Sequence, residues 1–173
     1  MTTLSTPSLS AALIRDFENE TALTRRLCET APEDRYDWKP HEKSMTLGAL
    51  VGHLAEAASW LDSITEGDSM DFAQLTDYQP FVPTSKTELL ATLDENAANF
   101  GKLLDGRSDE ELRSVWTMRM GDKVLMQQPR EEIVRSILIH HVAHHRGQLT
   151  VYLRMLDVPV PATYGSTADE TTF

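Results

Sequence analysis

The chain has 173 residues, 40% of them hydrophobic and 25% charged, which is typical of a soluble globular protein with one sizeable core. Its net charge is −11, and its 16 Lys and Arg residues are scattered rather than clustered. Because binding to nucleic acid or to anionic membrane surfaces relies on clustered basic residues, we expect neither partner.

Helical periodicity predicts two helices in the first part of the chain. The first is expected from about Ser8 to Thr30, and the second from about Thr46 to Glu66, with Gly67 as its end. A polar connection bracketed by Pro32 and Pro40 separates them. The apolar stripe of the second helix consists of Leu47, Leu50, Val51, Leu54, Ala58 and Leu61.

The middle of the chain is predicted to contain a third helix and one ambiguous segment. After a long connection over 67–83, the capping pattern Ser85-Lys86-Thr87-Glu88 opens a helix that runs to about residue 106, and residues 108–111 repeat the pattern for a further short turn. Residues 115–126 flank Gly121-Asp122, which predicts either a hairpin or an irregular loop.

A fourth helix is predicted from about Pro129 to Leu156. Residues 166–173 are small, polar and acidic, so we expect a flexible tail after a single domain that spans residues 1–165. Four amphipathic helices predict an all-α four-helix bundle. Since all three connections are long, the helices need not follow a simple up-down-up-down order.

Four of the six histidines lie within residues 140–145. They form two pairs with a spacing of four, His140 with His144 and His141 with His145, and side chains at this spacing share one face of a helix. Two imidazoles placed in this way can share one divalent metal ion.

A helical wheel distinguishes the two pairs. His141 and His145 fall among the apolar residues of the fourth helix, whereas His140 and His144 fall to one side of them. The apolar residues in question are Val134, Leu138, Leu149, Tyr152 and Leu156. Because metal sites in helical bundles are built from inward-facing side chains, the wheel favours His141 and His145.

A third ligand is needed, and His53 and His41 are the remaining histidines. His53 lies at the edge of the stripe of the second helix, so it is the better candidate; His41 lies in a polar connection. Glu56 is a possible fourth ligand or base, although the wheel places it further from the core. Three imidazoles suit zinc, nickel and other late divalent ions.

Other interpretations involve no chemistry. The histidine cluster can instead line an interface between subunits without any metal. Arg146 is interpreted as a solvated surface residue, and Cys28, with no partner motif, as an inert buried thiol. With one cysteine and no visible secretory signal, we expect a reducing, cytoplasmic environment.

The same histidines carry a family resemblance. Residues 141–149, His-Val-Ala-His-His-Arg-Gly-Gln-Leu, resemble the His-x-x-x-His-Arg-Gly-Gln signature of the DinB-like superfamily, which also includes bacillithiol transferases and mycothiol-dependent maleylpyruvate isomerases. Supporting similarity extends over residues 37–40, 47–54, 152–156 and 158–161.

The resemblance implies a four-helix bundle of unusual helix order, often a homodimer, with a divalent metal held by His53, His141 and His145. It also implies chemistry with a small thiol and a small electrophilic molecule. The leading hypothesis is therefore a metal-dependent thiol transferase or hydrolase, for which the sequence assigns no general base. The alternative is a non-enzymatic stress-response protein with a structural metal.

Overall fold

The first predicted helix is confirmed. In the computed structural model, which describes residues 7–172, helix α1 spans Leu9–Thr30. The hydroxyl of Ser8 caps it by accepting a hydrogen bond from the backbone N–H of Ala11 at 3.2 Å. The first six residues of the predicted domain and the last residue of the predicted tail, Phe173, lie outside the described residues.

The second predicted helix is present but is not continuous. Helix α2 spans Leu47–Glu56, a turn of 3-10 helix covers Ala57–Trp60, and helix α3 spans Leu61–Glu66. At the break, the hydroxyl of Ser59 donates to the backbone carbonyl of Glu56 at 2.8 Å. A side-chain hydroxyl that bonds back to the preceding turn competes with the helical hydrogen bonds and bends the helix.

Helix α4 spans Lys86–Leu104 and helix α5 spans Asp109–Arg113. Both begin at the serines that the capping patterns predicted. The hydroxyl of Ser85 accepts from the N–H of Glu88, and the hydroxyl of Ser108 accepts from the N–H of Glu111, each at 3.1 Å.

A small sheet corrects the all-α prediction. Strands β2 (Val115–Met120) and β3 (Lys123–Pro129) form an antiparallel hairpin, and strand β1 (Ser69–Asp71) pairs in parallel with β2. The hairpin alternative for residues 115–126 is therefore confirmed. The carboxylate of Asp71 accepts from the N–H of Gly121 at 2.9 Å, which ties β1 to the hairpin turn.

The last predicted helix runs without interruption but changes its winding. Helix α6 spans Arg130–Ile133, a π-helical segment covers Val134–Ile139, and helix α7 spans His140–Met155. A π-helical turn holds more residues than an α-helical one, and such turns recur beside functional sites. The histidine cluster begins at the first residue of α7.

The long helices do not pack in simple chain order. Helices α1 and α2 each pack against both α4 and α7, so the order around the molecule is α1, α4, α2, α7. The long connections allow this arrangement. The chain is thus mostly helical with a small three-stranded sheet. Within residues 7–172, none of the helices combines the length and apolarity that are needed to cross a bilayer.

The buried apolar residues form two clusters, which we name after one member each. The Leu47 cluster includes Leu27, Leu50, Val51, Leu54, Leu89, Leu93, Val142, Leu149 and Leu153. The Trp116 cluster includes Leu13, Phe17, Leu61, Ile64, Phe100, Leu104, Ile133, Val134, Leu138 and Ile139. Trp60 packs against both clusters.

The chain end contacts the helices. The carboxylate of Asp169 pairs with Arg154 and accepts the backbone N–H of Val160, and the carboxylate of Glu170 pairs with Arg26 at 2.6 Å. These are exposed ion pairs, which contribute little to stability. The flexibility of residues 166–173, like the single domain over residues 1–165, stays a prediction.

Candidate metal centre

Three histidines from two helices converge at one point. His53 lies on α2, and His141 and His145 lie one turn apart on α7. One ring nitrogen from each lies within 4.8 Å of the others. The Nε2 atoms of His53 and His141 are 2.8 Å apart, and the ring centroids of His53 and His145 are 4.5 Å apart. The wheel and the resemblance had indicated these same three residues.

Helix packing explains the convergence. Helix α2 packs against α7, and its start is fixed by the hydroxyl of Thr46, which accepts from the N–H of Ala49 at 3.1 Å. Leu50 and Leu54 on the inner face of α2 are buried in the core. Because His53 lies at the edge of this face, its side chain is directed towards α7. All three imidazoles are partly buried and therefore remain reachable from solvent.

The remaining histidines lie elsewhere. His140 and His144, which the wheel placed to one side of the apolar residues, are exposed. His41 is also exposed, and its Nδ1 accepts a hydrogen bond from the backbone N–H of Lys43 at 3.1 Å. None of these three joins the convergent group.

The orientation of the His145 ring is set by Gln148. The Nδ1 of His145 lies 2.7 Å from Oε1 of Gln148, and because an amide oxygen only accepts, this contact favours the tautomer with the proton on Nδ1. Its Nε2 then has a free lone pair for a ligand. The amide nitrogen of Gln148 is 3.3 Å from Nε2 of His144.

Glu56 lies beside Nδ1 of His53, as Gln148 lies beside Nδ1 of His145. Its Oε1 lies 3.4 Å from Nδ1 of His53 and accepts the phenol hydroxyl of Tyr78 at 2.8 Å. Its Oε2 accepts the backbone N–H of Phe81 at 2.9 Å. Glu56 therefore faces the Nδ1 side of His53, away from the converging nitrogens. This position does not suit a fourth ligand, which the sequence had left open.

Burial and mutual repulsion keep two of the imidazoles neutral. Burial, followed by repulsion from the neighbouring His145, His53 and His144, lowers the pKa of His141 to about 4. Burial also lowers the pKa of His145, against an opposing contribution from its bond to Gln148. A neutral imidazole is the form that binds a metal ion.

Glu56 is ionised despite its environment. Burial raises the pKa of its carboxyl, but hydrogen bonds from His53, the Phe81 N–H and the Tyr78 hydroxyl outweigh that effect, so the pKa lies below its ordinary value. Conversely, burial and the bond to Glu56 raise the pKa of Tyr78 to about 12. Tyr78 is thus a stable hydrogen-bond donor at neutral pH.

Trp60 forms an aromatic wall beside the histidines. Its ring centroid is 5.2 Å from that of His53 and 5.5 Å from that of His141. The residue lies in the 3-10 turn after α2, so the break in the second predicted helix places this indole next to the site.

The interpretation of Arg146 as a solvated surface residue is wrong, because the side chain is buried. Only 3% of the residue is exposed, and its guanidinium lies 2.6 Å from Oε2 of Glu20 on α1. The hydroxyl of Tyr164 donates to the other carboxylate oxygen of Glu20, and the ring of Tyr164 lies over the guanidinium. Arg146 therefore fastens α7 to α1 and contributes no ligand.

Cys28 is fully buried in the Leu47 cluster, as predicted for an inert thiol, and burial raises its pKa to about 12. Within residues 7–172, no cysteine, aspartate or glutamate joins the group of His53, His141 and His145. These three residues can hold a metal ion with a coordination position left for another molecule.

The sequence did not predict that Glu56 lies beside Nδ1 of His53, nor that Tyr78 and Phe81 donate hydrogen bonds to its carboxylate. The spacing of three between His53 and Glu56 was a usable signal, since such pairs are neighbours on a helix. No local signal pointed to Tyr78 or Phe81, which lie in a long connection more than 20 residues after Glu56.

Comparison with known proteins gives a consistent result. The sequence profile of the DinB family matches residues 2–172. The chain is 26% identical over 160 residues to the uncharacterized protein YrdA of Bacillus subtilis (strain 168), covering 91% of this chain and 89% of that protein. It is also 26% identical to the uncharacterized protein YjoA of the same organism over 153 residues, covering 84% and 89%.

Two solved structures share the fold. A DinB-like protein from Bacillus cereus ATCC 10987 superposes with a TM-score of 0.68 at 22% identity, covering 88% of this chain and 95% of that chain. The DinB-like protein YjoA from Bacillus subtilis superposes with a TM-score of 0.68 at 20% identity, covering 88% and 97%.

Proposed function

The chain belongs to the DinB family, and from this premise we propose that it binds one divalent metal ion through His53, His141 and His145 and uses it to activate a small molecule. The observation that carries the proposal is the convergence of three ring nitrogens within 4.8 Å. Three neutral imidazoles with an open position are the ligand set of a catalytic zinc site, and nickel is equally compatible.

A divalent ion with an open position lowers the pKa of a bound water or thiol and thereby supplies a nucleophile near neutral pH. The protein's own residues provide the ligands, a surface for the incoming molecule and a path to the metal. The low pKa of His141 keeps its ring available for binding at neutral pH, and Trp60 offers an aromatic face to an incoming molecule. The partial exposure of the histidines leaves a path for that molecule.

The reaction that we propose is transfer of a small thiol to an electrophilic carbon, with hydrolysis as a related possibility. In the transfer, sulfur forms a bond to that carbon, the thiol proton passes to water, and the leaving group departs with its bonding electrons. The similarity to thiol-dependent DinB-like enzymes supports this choice. We further propose a bundle core of DinB-like helix order and a cytoplasmic homodimer, and the charge of −11 disfavours nucleic acid as a partner.

A second function follows from where the histidines lie. The three histidines lie at the contact between α2 and α7, beside Trp60, which packs against both apolar clusters. An ion at this point would stabilise the fold of a non-enzymatic stress-response protein. A structural ion has a complete shell of protein ligands, whereas a catalytic one keeps an exchangeable position.

Metal content of purified variants tests the ligand set. We expect His141→Ala and His145→Ala to lose most of the bound metal, and the matched variants His140→Ala and His144→Ala to keep it. Full occupancy in His141→Ala would refute the assignment.

Cobalt substitution then separates the two functions. If one position is exchangeable, a small thiol should add a sulfur-to-cobalt charge-transfer band to the spectrum of the wild-type protein, and His145→Ala should not show it. If no cellular thiol changes the spectrum and the shell is complete, the structural function is correct. Turnover of thiols with a panel of small electrophiles identifies the substrate class.

A further inference from the structure

A buried carboxylate without a basic partner lies next to the histidines. Glu56 is 7% exposed, and within residues 7–172 no Lys or Arg side chain pairs with it. Burying a charge is costly unless hydrogen bonds or an opposite charge compensate for it. Glu56 is compensated by neutral donors, the hydroxyl of Tyr78 and the backbone N–H of Phe81, and its remaining neighbour is the ring of His53.

The segment that supplies those donors is held against α2 by shape. Gly52 lies one turn before Glu56 on the same face, and a Cβ at Gly52 would overlap the carbonyl oxygen of Phe81 and lie 3.0 Å from Cδ of Pro83. The backbone at Phe81 therefore rests directly on α2. The donor positions around Glu56 are fixed by this contact, and the carboxylate is held in place by its hydrogen bonds from Tyr78 and Phe81.

The same arrangement recurs on α7 with a neutral acceptor. Gln148 follows His145 by three residues, as Glu56 follows His53, and its Oε1 lies 2.7 Å from Nδ1 of His145. In both pairs the acceptor lies next to Nδ1 of a histidine, so Nε2 is the ring nitrogen that is left to serve as a ligand atom. Metal-binding histidines commonly donate their second ring N–H to such an acceptor, which fixes the tautomer and the ring orientation.

We propose that Glu56 and Gln148 are positioning residues of the metal centre. Each accepts the Nδ1–H of the histidine three residues before it and so presents Nε2 of that ring as the ligand atom. Tyr78 and Phe81 hold Glu56 in place for this role. The contact from Nδ1 of His53 to Oε1 of Glu56 is 3.4 Å long, and we expect it to shorten if an ion fixes the ring. This inference rests on the proposed function.

Zinc affinity provides the first test, measured by competition with a chromophoric chelator at pH 8. Glu56→Gln keeps the size of the side chain but removes its charge, and it should weaken zinc binding about 10- to 100-fold. Gln148→Ala should weaken it about tenfold, because Gln148 is exposed and water can replace its oxygen. Tyr78→Phe should cause a smaller loss in the same direction.

The control is Glu66→Gln, which makes the same substitution at an exposed glutamate of α3 and should leave zinc affinity unchanged. Melting of the metal-free proteins shows whether each variant is folded. If folded Glu56→Gln and Gln148→Ala bind zinc as tightly as the wild type while His145→Ala does not, the positioning role is wrong and the proposed metal site stands. If the wild-type protein binds no divalent ion, both proposals fail.

Histidine tautomers provide a readout that a purely structural role would not change. In ¹⁵N-histidine spectra of the metal-free wild type, His53 and His145 should both carry the proton on Nδ1. Gln148→Ala should reduce that preference at His145 alone, and Glu56→Ala, which removes the acceptor that Glu56→Gln keeps, should reduce it at His53 alone. A wild-type protein with the proton on Nε2 of both rings would overturn the inference.

Discussion

Replacing Gly52 with alanine is expected to damage both stability and the metal site. The new Cβ would overlap the carbonyl oxygen of Phe81, and the carbonyl carbon of Phe81 would lie 3.0 Å away. Because the obstacle is backbone rather than a flexible side chain, the segment around Phe81 must move away from α2. That movement also breaks the hydrogen bond from the Phe81 N–H to Glu56.

The size of the effect follows from two contributions. Overpacking in a well-packed region costs about 1–3 kcal/mol, and a lost hydrogen bond to a buried charged group adds about 1.5–3 kcal/mol. Together they amount to about 2.5–6 kcal/mol, and since 1 kcal/mol shifts the melting temperature by about 2–4 °C in a chain of this size, a decrease of roughly 5–24 °C is expected. Zinc affinity should fall as well, because Glu56 loses one of its supports.

Gly101→Ala is the matched control. Gly101 lies within α4, and apart from the backbone of its own helix and its chain neighbours no atom lies within 4 Å of a Cβ placed there. Alanine should stabilise that helix by up to about 1 kcal/mol. Thermal and urea unfolding of both variants measure the difference. If Gly52→Ala were as stable as Gly101→Ala, the close contact between α2 and Phe81 would not exist in solution.

Three further outcomes follow from the buried polar groups. Arg146→Met should lower the free energy of unfolding by about 3–5 kcal/mol in urea titrations because it leaves Glu20 buried without its partner, whereas the exposed Arg15→Met should change little; equal stability of the two would contradict the buried pair. Cys28, whose pKa burial raises to about 12, should react with a thiol reagent such as Ellman's reagent only when urea unfolds the chain; rapid reaction in the native state would contradict its burial. The metal-free protein should lose stability as the pH falls from 6.5 to about 4, because in this range the imidazole of His141 takes up a proton in the unfolded chain but not in the folded one. The variant His141→Leu should lose less stability over the same range. Identical pH profiles of the two proteins in unfolding titrations would contradict the lowered pKa.

The sequence predicts what depends on local spacing. The pair His141 and His145 follows from a spacing of four on a helix, and the start of α4 at Ser85 follows from a capping pattern. The wheel placed His141 and His145 on the inner face although the π-helical segment Val134–Ile139 interrupts the assumed winding, because two of its apolar references, Leu149 and Tyr152, lie in α7 with the histidines.

What the sequence did not predict depends on distant partners. Strand β1 pairs with residues of β2 that lie far along the chain, and its three residues carry no strand pattern of their own. The burial of Arg146 depends on Glu20, 126 residues earlier. Glu56 lies off the apolar stripe, so the wheel placed it further from the core, whereas the segment around Phe81 covers it.

The division of the interior into two clusters affects the cooperativity of unfolding. The 3-10 turn Ala57–Trp60 lies where the chain passes from the Leu47 cluster to the Trp116 cluster. The π-helical segment Val134–Ile139 belongs to the Trp116 cluster, and His141 lies between Ile139 of that cluster and Val142 of the Leu47 cluster. Contiguous regions of this kind open as separate units in native-state hydrogen exchange. An ion held by His53, His141 and His145 would join those units, so amides of both clusters should exchange at one common rate only when metal is bound.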